Sequence, residues 1–188
     1  MAVLTRFKIQ LVEVKRTLDA ANIPSSSLPN IKLYSTKIGL ILLAYLRIIK
    51  ANKEASGEDL SKVMNQPNRY LTSDFCENLK TIETPMLYIC EHISKEFTGK
   101  NEYRGDPIKR FSNEIENQNS LMKERSVYEI LKNTISCFGL DNLKLGEKYI
   151  DLDESDDETI LEIILEESRT HENYDKFIGH LEDLVKIE

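Results

Sequence analysis

The sequence predicts an all-α fold of about eight or nine helices around a central apolar helix near 35–51, and three observations predict it. Apolar residues recur three and four apart in segment after segment. Capping residues, prolines and glycines cut those segments to helix length. Glycines and prolines number only 7 and 5 in 188 residues, so connections are short. One stretch departs from the pattern: LKLGEKYIDL, Leu143 to Leu152, alternates around Gly146 and reads as a small hairpin or a plain loop.

Taken in order, Leu4, Phe7, Leu11, Val14 and Leu18 make one stripe on a first helix, which ends before the connector NIPSSSLPN at 22–30. A second helix runs from about Ser35 to Ala51. It is apolar on nearly every side from Ile38 to Leu46, which makes it the core helix; at about half the length of a bilayer span, closed by Arg47 and Lys50, it is not a membrane segment. Ser56 starts a short helix bearing Leu60, Val63 and Met64 that stops before Pro67, and Leu71, Phe75, Leu79 and Ile82 mark the next.

Thr84 followed by Pro85 is a start signal, because a hydroxyl accepts an orphan amide bond and proline has no amide to leave unpaired. Its stripe is Met86, Cys90, Ile93 and Phe97, ending at Gly99. Asp106 and Pro107 are expected to repeat the device after a loop over 98–107, with ENQNS at 116–120 interrupting the stripe that follows. Val127, Leu131, Ile135 and Phe138 form another helix capped by Gly139, and two last helices span about 156–168 and 172–187. Residues 1–188 are thus expected to be a single α-helical domain, of a length that buries roughly 70 % of the surface its unfolded form exposes.

DLDESDDETILE, Asp151 to Glu162, has acids and hydroxyls at the ligand positions of a calcium loop. Position six needs glycine and holds Asp156, position eight should be apolar and holds Glu158, and Gly139 and Gly146 break the entering helix. The expectation is a helix start, with Ser155 capping and Glu158 completing a capping box. RGD at 104–106 would mark adhesion only on an exported protein, and Asp106 reads as a cap. His92, His171 and His180 lack metal spacing, and Cys76, Cys90 and Cys137 form no CxxC pair, so free thiols and no metal are expected.

No phosphate-binding loop, GxGxxG, HExxH or nucleophile elbow occurs. No catalytic residue and no cofactor is singled out, and the reading leans away from an enzyme.

Charge carries more information than motif. Residues 1–53 hold nine Lys or Arg against two acids, whereas the acidic end from 151 to 188 holds three against fourteen. The candidate binding cations are Arg6, Lys8, Lys15, Arg16, Lys37, Arg47 and Lys50, with a second cluster at Arg104, Lys109 and Arg110. Candidate acidic contacts on the carboxy-terminal helices, 153–188, are Asp153, Asp156, Asp157, Glu162 and Glu166.

Two functions fit this polarity. The first is a non-enzymatic interaction module in the cytoplasm: an adaptor, an assembly subunit, or an oligomer whose basic end meets a neighbour's acidic helices. The alternative is a nucleic-acid-binding protein, of a viral or ribonucleoprotein type, using the basic amino-terminal region. A membrane partner is not expected, because the longest apolar run, Ile38 to Leu46, is about half a bilayer span, and Arg6, Lys8, Glu13, Lys15 and Arg16 leave no uninterrupted apolar core for a signal peptide.

Overall fold

The computed structural model describes residues 14, 17–18, 21–24, 33–96, 102–143 and 155–187, apart from the side chains of 93, 94, 96, 102–104 and 155–156. Among these, eight α-helices and no strand are found. They are α1 (Lys37–Ala51), α2 (Gly57–Val63), α3 (Ser73–Asn78), α4 (Pro85–Glu96), α5 (Glu102–Leu121), α6 (Val127–Cys137), α7 (Ser155–Ser168) and α8 (Tyr174–Ile187). The predicted all-α class is therefore observed. Of the first predicted helix only Val14, Thr17 and Leu18 are described, and they are helical; the hairpin expected near 143–152 lies outside the described residues except for Leu143.

The apolar run dictates the position of α1. Ten of its 15 residues are buried, and it packs against α2, α5, α6, α7 and α8. No charged side chain between Ile38 and Leu46 has to leave water, so the helix can be surrounded at no electrostatic cost. Tyr45, the largest of its buried residues, packs at a tilt on Phe138 at 4.5 Å and meets the edge of Phe111 at 6.1 Å, joining α1 to α5 and to the end of α6. Aromatic pairs of this kind contribute about 0.5–1.5 kcal/mol beyond burial.

Local chemistry sets the ends. Thr36, Ser56, Thr72 and Ser126 each accept a backbone amide at the start of α1, α2, α3 and α6, and Glu129 completes a capping box with Ser126. Pro85 opens α4 as expected. Gly139 follows α6 at φ 62, the left-handed conformation glycine adopts without penalty. Gly57 lets α2 approach the turn at Leu79–Thr81 so closely that a Cβ there would lie 1.9 Å from the Leu79 carbonyl oxygen.

Two expected breaks are absent. Pro107 lies inside α5, which begins at Glu102, so Arg104, Gly105 and Asp106 are helical and the expected Asp106 cap is corrected. Proline's missing amide removes only the bond back to residue 103 in the first turn, and the ladder continues beyond it. The polar run at 116–120 does not interrupt α5 either, because its side chains have partners in the fold. Asn119 Nδ2 donates to the carbonyls of Ile49 (2.8 Å) and Lys50 (3.3 Å), orphan acceptors at the end of α1. Gln118 is buried and donates to Glu114 at 2.7 Å.

At the acidic segment, residues 155–162 are continuous helix, which leaves no loop there to wrap a calcium ion. The histidines are half-buried side chains with partners: His92 packs at a tilt against Phe75 at 4.3 Å, His171 lies 5.2 Å from Phe177, and His180 bonds Glu167 at 2.8 Å. Among the described residues no helix is long and apolar enough to cross a membrane.

Candidate functional site

Among the described residues, two cations of the basic region, Arg47 and Lys50, meet acids of the carboxy-terminal helices within one molecule. Because α8 packs on α1, Arg47 reaches Glu182 at 2.8 Å and Lys50 reaches Asp175 at 3.0 Å, and Arg47 also meets the buried Asp59 of α2 at 3.4 Å. Lys53 pairs with Glu116 at 3.7 Å, and the Tyr34 hydroxyl donates to Glu167 at 2.6 Å. Surface pairs of this exposure contribute about 0–1 kcal/mol each. Their consequence is electrostatic availability: the positive charge of Arg47 and Lys50 is already answered.

The other predicted residues are dispersed. Arg6, Lys8, Lys15, Arg16 and Asp153 lie outside the described residues; Arg104 lies in α5 and Asp156 in α7, their side chains undescribed. Lys37 is half-buried at the start of α1. Asp157 is half-buried, Glu162 exposed, and Glu166 pairs with Arg169 at 2.8 Å. Lys109 and Arg110 are exposed on α5, and Arg110 makes no hydrogen bond or ion pair among the described residues.

Arg110 lines a cleft of about 480 Å³ between the segment 67–69, α5 and the end of α6. Half-buried Pro67 and Pro107 line it together with Asn68, Asn113, Glu114 and Cys137, and the buried Phe111 and Phe138 lie at its base. Arg69 also lines it, at only 5 % exposure. Nη1 of Arg69 donates to the carbonyls of Val63 (2.9 Å) and Met64 (3.0 Å), with longer bonds to Gln66 and Pro67, and Nη2 donates to the Tyr45 hydroxyl at 3.0 Å. The guanidinium lies 4.8 Å from the centre of the Phe111 ring.

Every partner of this buried cation is neutral. Carbonyl dipoles and a ring face stabilise a guanidinium, but they leave its net charge uncompensated, and a buried charge is costly unless a counter-charge answers it. One acid, Glu114, lines the same cleft, occupied by bonds from Gln118 (2.7 Å) and Asn117 (3.3 Å). It stands beside Cys137, whose thiol is pushed above its usual range by burial and then by the Glu114 carboxylate. The Tyr45 phenol is likewise raised, burial outweighing the opposing pull of Arg69.

Little in the order of residues points to Arg69. It stands in NQPNRYL, Asn65 to Leu71, where a turn is legible but burial is not. The segment is built by Asn65, whose Oδ1 accepts from Arg69 N at 2.8 Å and whose Nδ2 donates to the Leu71 carbonyl at 3.3 Å. Tyr70 then stands 76 % exposed at φ 61.

With the geometry established, comparison with known proteins adds the family. Residues 1–187 match the family model of the UvrD-like helicase C-terminal domain. The chain belongs to that family. A search of curated proteins gave no match. Membership overturns the expected non-enzymatic interaction module, because the family is helicase-related and nucleic-acid-associated; the alternative reading is the one it supports. Contact between a basic end and a neighbour's acidic helices also loses its premise at Arg47 and Lys50, which are paired within the molecule.

Proposed function

We propose that this member of the UvrD-like helicase C-terminal domain family supplies nucleic-acid contacts to a helicase-related protein, and that the cations of α5, Arg104, Lys109 and Arg110, take up backbone phosphates. The observation that carries the proposal is the unpaired, exposed Arg110 at a cleft holding a second, buried arginine. The 188 residues contain no phosphate-binding loop, which favours contact over nucleotide hydrolysis as their contribution. A net charge of −7 repels a polyanion overall, so binding depends on a local cationic patch and on released counterions.

Fluorescence anisotropy of a labelled single-stranded oligonucleotide and of its duplex, titrated at several salt concentrations, tests this reading. Affinity should fall as salt rises. Arg110→Ala should reduce the single-strand salt slope by about 0.7, the loss of one phosphate contact, while Lys50→Ala leaves it unchanged. Lys15→Ala with Arg16→Ala measures what the amino-terminal cations add. Binding that ignores salt, or none for either nucleic acid, would sink the proposal.

A further inference from the structure

We infer that the cleft between the 67–69 segment and α5 is a binding site for one phosphate-bearing nucleotide unit, its phosphate held by Arg69 and Arg110. The inference rests on the nucleic-acid reading above and names the site and the ligand chemistry within it. Three observations support it independently of the family.

First, Arg69 is a cation at 5 % exposure with no carboxylate partner among the described residues. Its recorded bonds use Nη1 and Nη2 alone, leaving Nε–H of its five donors without a bond there. An anion in the cleft would supply the missing counter-charge and an acceptor. Second, Arg110 brings another unpaired guanidinium to the same cleft, and planar guanidinium groups match phosphate oxygens with two parallel bonds. Third, the space is larger than a bare anion needs: about 480 Å³ falls within the usual range for small-molecule sites, roughly 300–1,000 Å³, and beside the two arginines its lining offers half-buried Pro67 and Pro107 to a sugar and the polar Asn68 and Asn113 to a base edge.

The preorganisation is built in. Four backbone carbonyls, the Tyr45 hydroxyl and the Phe111 ring hold the Arg69 guanidinium in one orientation, so little side-chain entropy remains to be lost on binding. Glu114 opposes excess negative charge in the cleft, which favours a single phosphate over a densely phosphorylated group.

A thiol footprint reads the site directly. Cys137 is exposed and lines the cleft, Cys90 is exposed and is not among its lining residues, and Cys76 is buried. Iodoacetamide alkylation of the full chain, followed peptide by peptide by mass spectrometry, is run with a short single-stranded DNA oligonucleotide, with deoxyadenosine monophosphate, or with inorganic phosphate. The expected result is slower alkylation of Cys137, by about tenfold when ligand is at about ten times its Kd, with Cys90 unchanged.

Protection by the oligonucleotide alone assigns the nucleotide to a strand, and protection by the monophosphate assigns it to the free nucleotide. Protection by inorganic phosphate as strong as by either would overturn the nucleotide assignment. Arg110→Ala, exposed and free of structural bonds, should remove the protection; protection that persists in this variant overturns the site. If the oligonucleotide binds by anisotropy but leaves Cys137 unprotected, this inference fails while the proposed function stands. If it does not bind at all, the proposed function itself fails.

Discussion

Arg47 and Arg69 illustrate two ways of placing a positive charge in one helical protein. Arg47 is about one-third exposed and answered by two carboxylates, Glu182 and Asp59. Arg69 is nearly enclosed and answered by none among the described residues, its bonds going to carbonyls and a phenol. The basic end looks like the binding surface when charges are counted, yet at Arg47 and Lys50 the fold has spent them internally. Availability of charge is a property of neighbours in space.

The sharpest way to break the comparison is to remove each arginine. Arg69→Met should destabilise the fold by about 3 kcal/mol in chemical denaturation, since several buried carbonyls and the Tyr45 hydroxyl lose their donor together. Arg69→Lys should recover only part of it, because one ammonium cannot span the same fork. Equal losses for Arg47→Met and Arg69→Met would contradict the distinction.

Alkaline titration separates the two regions next. Tyr45 beside Arg69 and Tyr174, whose hydroxyl donates to the Leu46 carbonyl at 3.2 Å, are both raised above the usual tyrosine range, chiefly by burial. A phenol whose folded pKa is raised adds stability that is fully present below the unfolded value, about 10, and is lost as pH climbs through and above it. Arg69 favours the Tyr45 phenolate, while Asp175 disfavours that of Tyr174. Phenolate absorbance in Tyr→Phe variants should therefore show both phenols ionising above the usual tyrosine range, with global stability falling across it, and Arg69→Met should delay the Tyr45 step but not that of Tyr174; an unmoved Tyr45 would mean that Arg69 does not act on the phenol.

Smaller effects test the junction between the regions. Asn119→Ala leaves the Ile49 and Lys50 carbonyls without their side-chain donor and should cost about 1 kcal/mol in thermal or denaturant melts. Oligonucleotide affinity should not change. Asp175→Asn breaks the Lys50 pair, whose side chains are 47 % and 63 % exposed, and should cost below about 0.5 kcal/mol. A loss above that would show the basic end to be held more tightly by its acids than the exposure implies.

Much of the fold was legible before coordinates. The apolar stretch from Ile38 to Leu46 announces the core helix, Ser56, Thr84–Pro85 and Gly139 announce helix ends, and all are observed where the pattern puts them. Pro107 and the run at 116–120 were misleading for one reason: each looks like a local break, and each is tolerated within α5 because of what surrounds it. Asn119 satisfies carbonyls 70 residues away, a partner no local window contains. Of the candidate site, Arg110 was legible as one charge among several, and Arg69 was not.

The sequence by itself determined that this chain is helical, where most helices begin and end, and that its charge is divided between its ends, because those properties depend on neighbours within a few positions. Only the tertiary structure decided which charges remain available. Helix α8 folds back on α1 and neutralises Arg47 and Lys50, while the turn after α2 encloses Arg69 beside Arg110 of α5, which is unpaired among the described residues. Coulomb energy and desolvation depend on distance in space and on local dielectric, and neither is written in the order of residues.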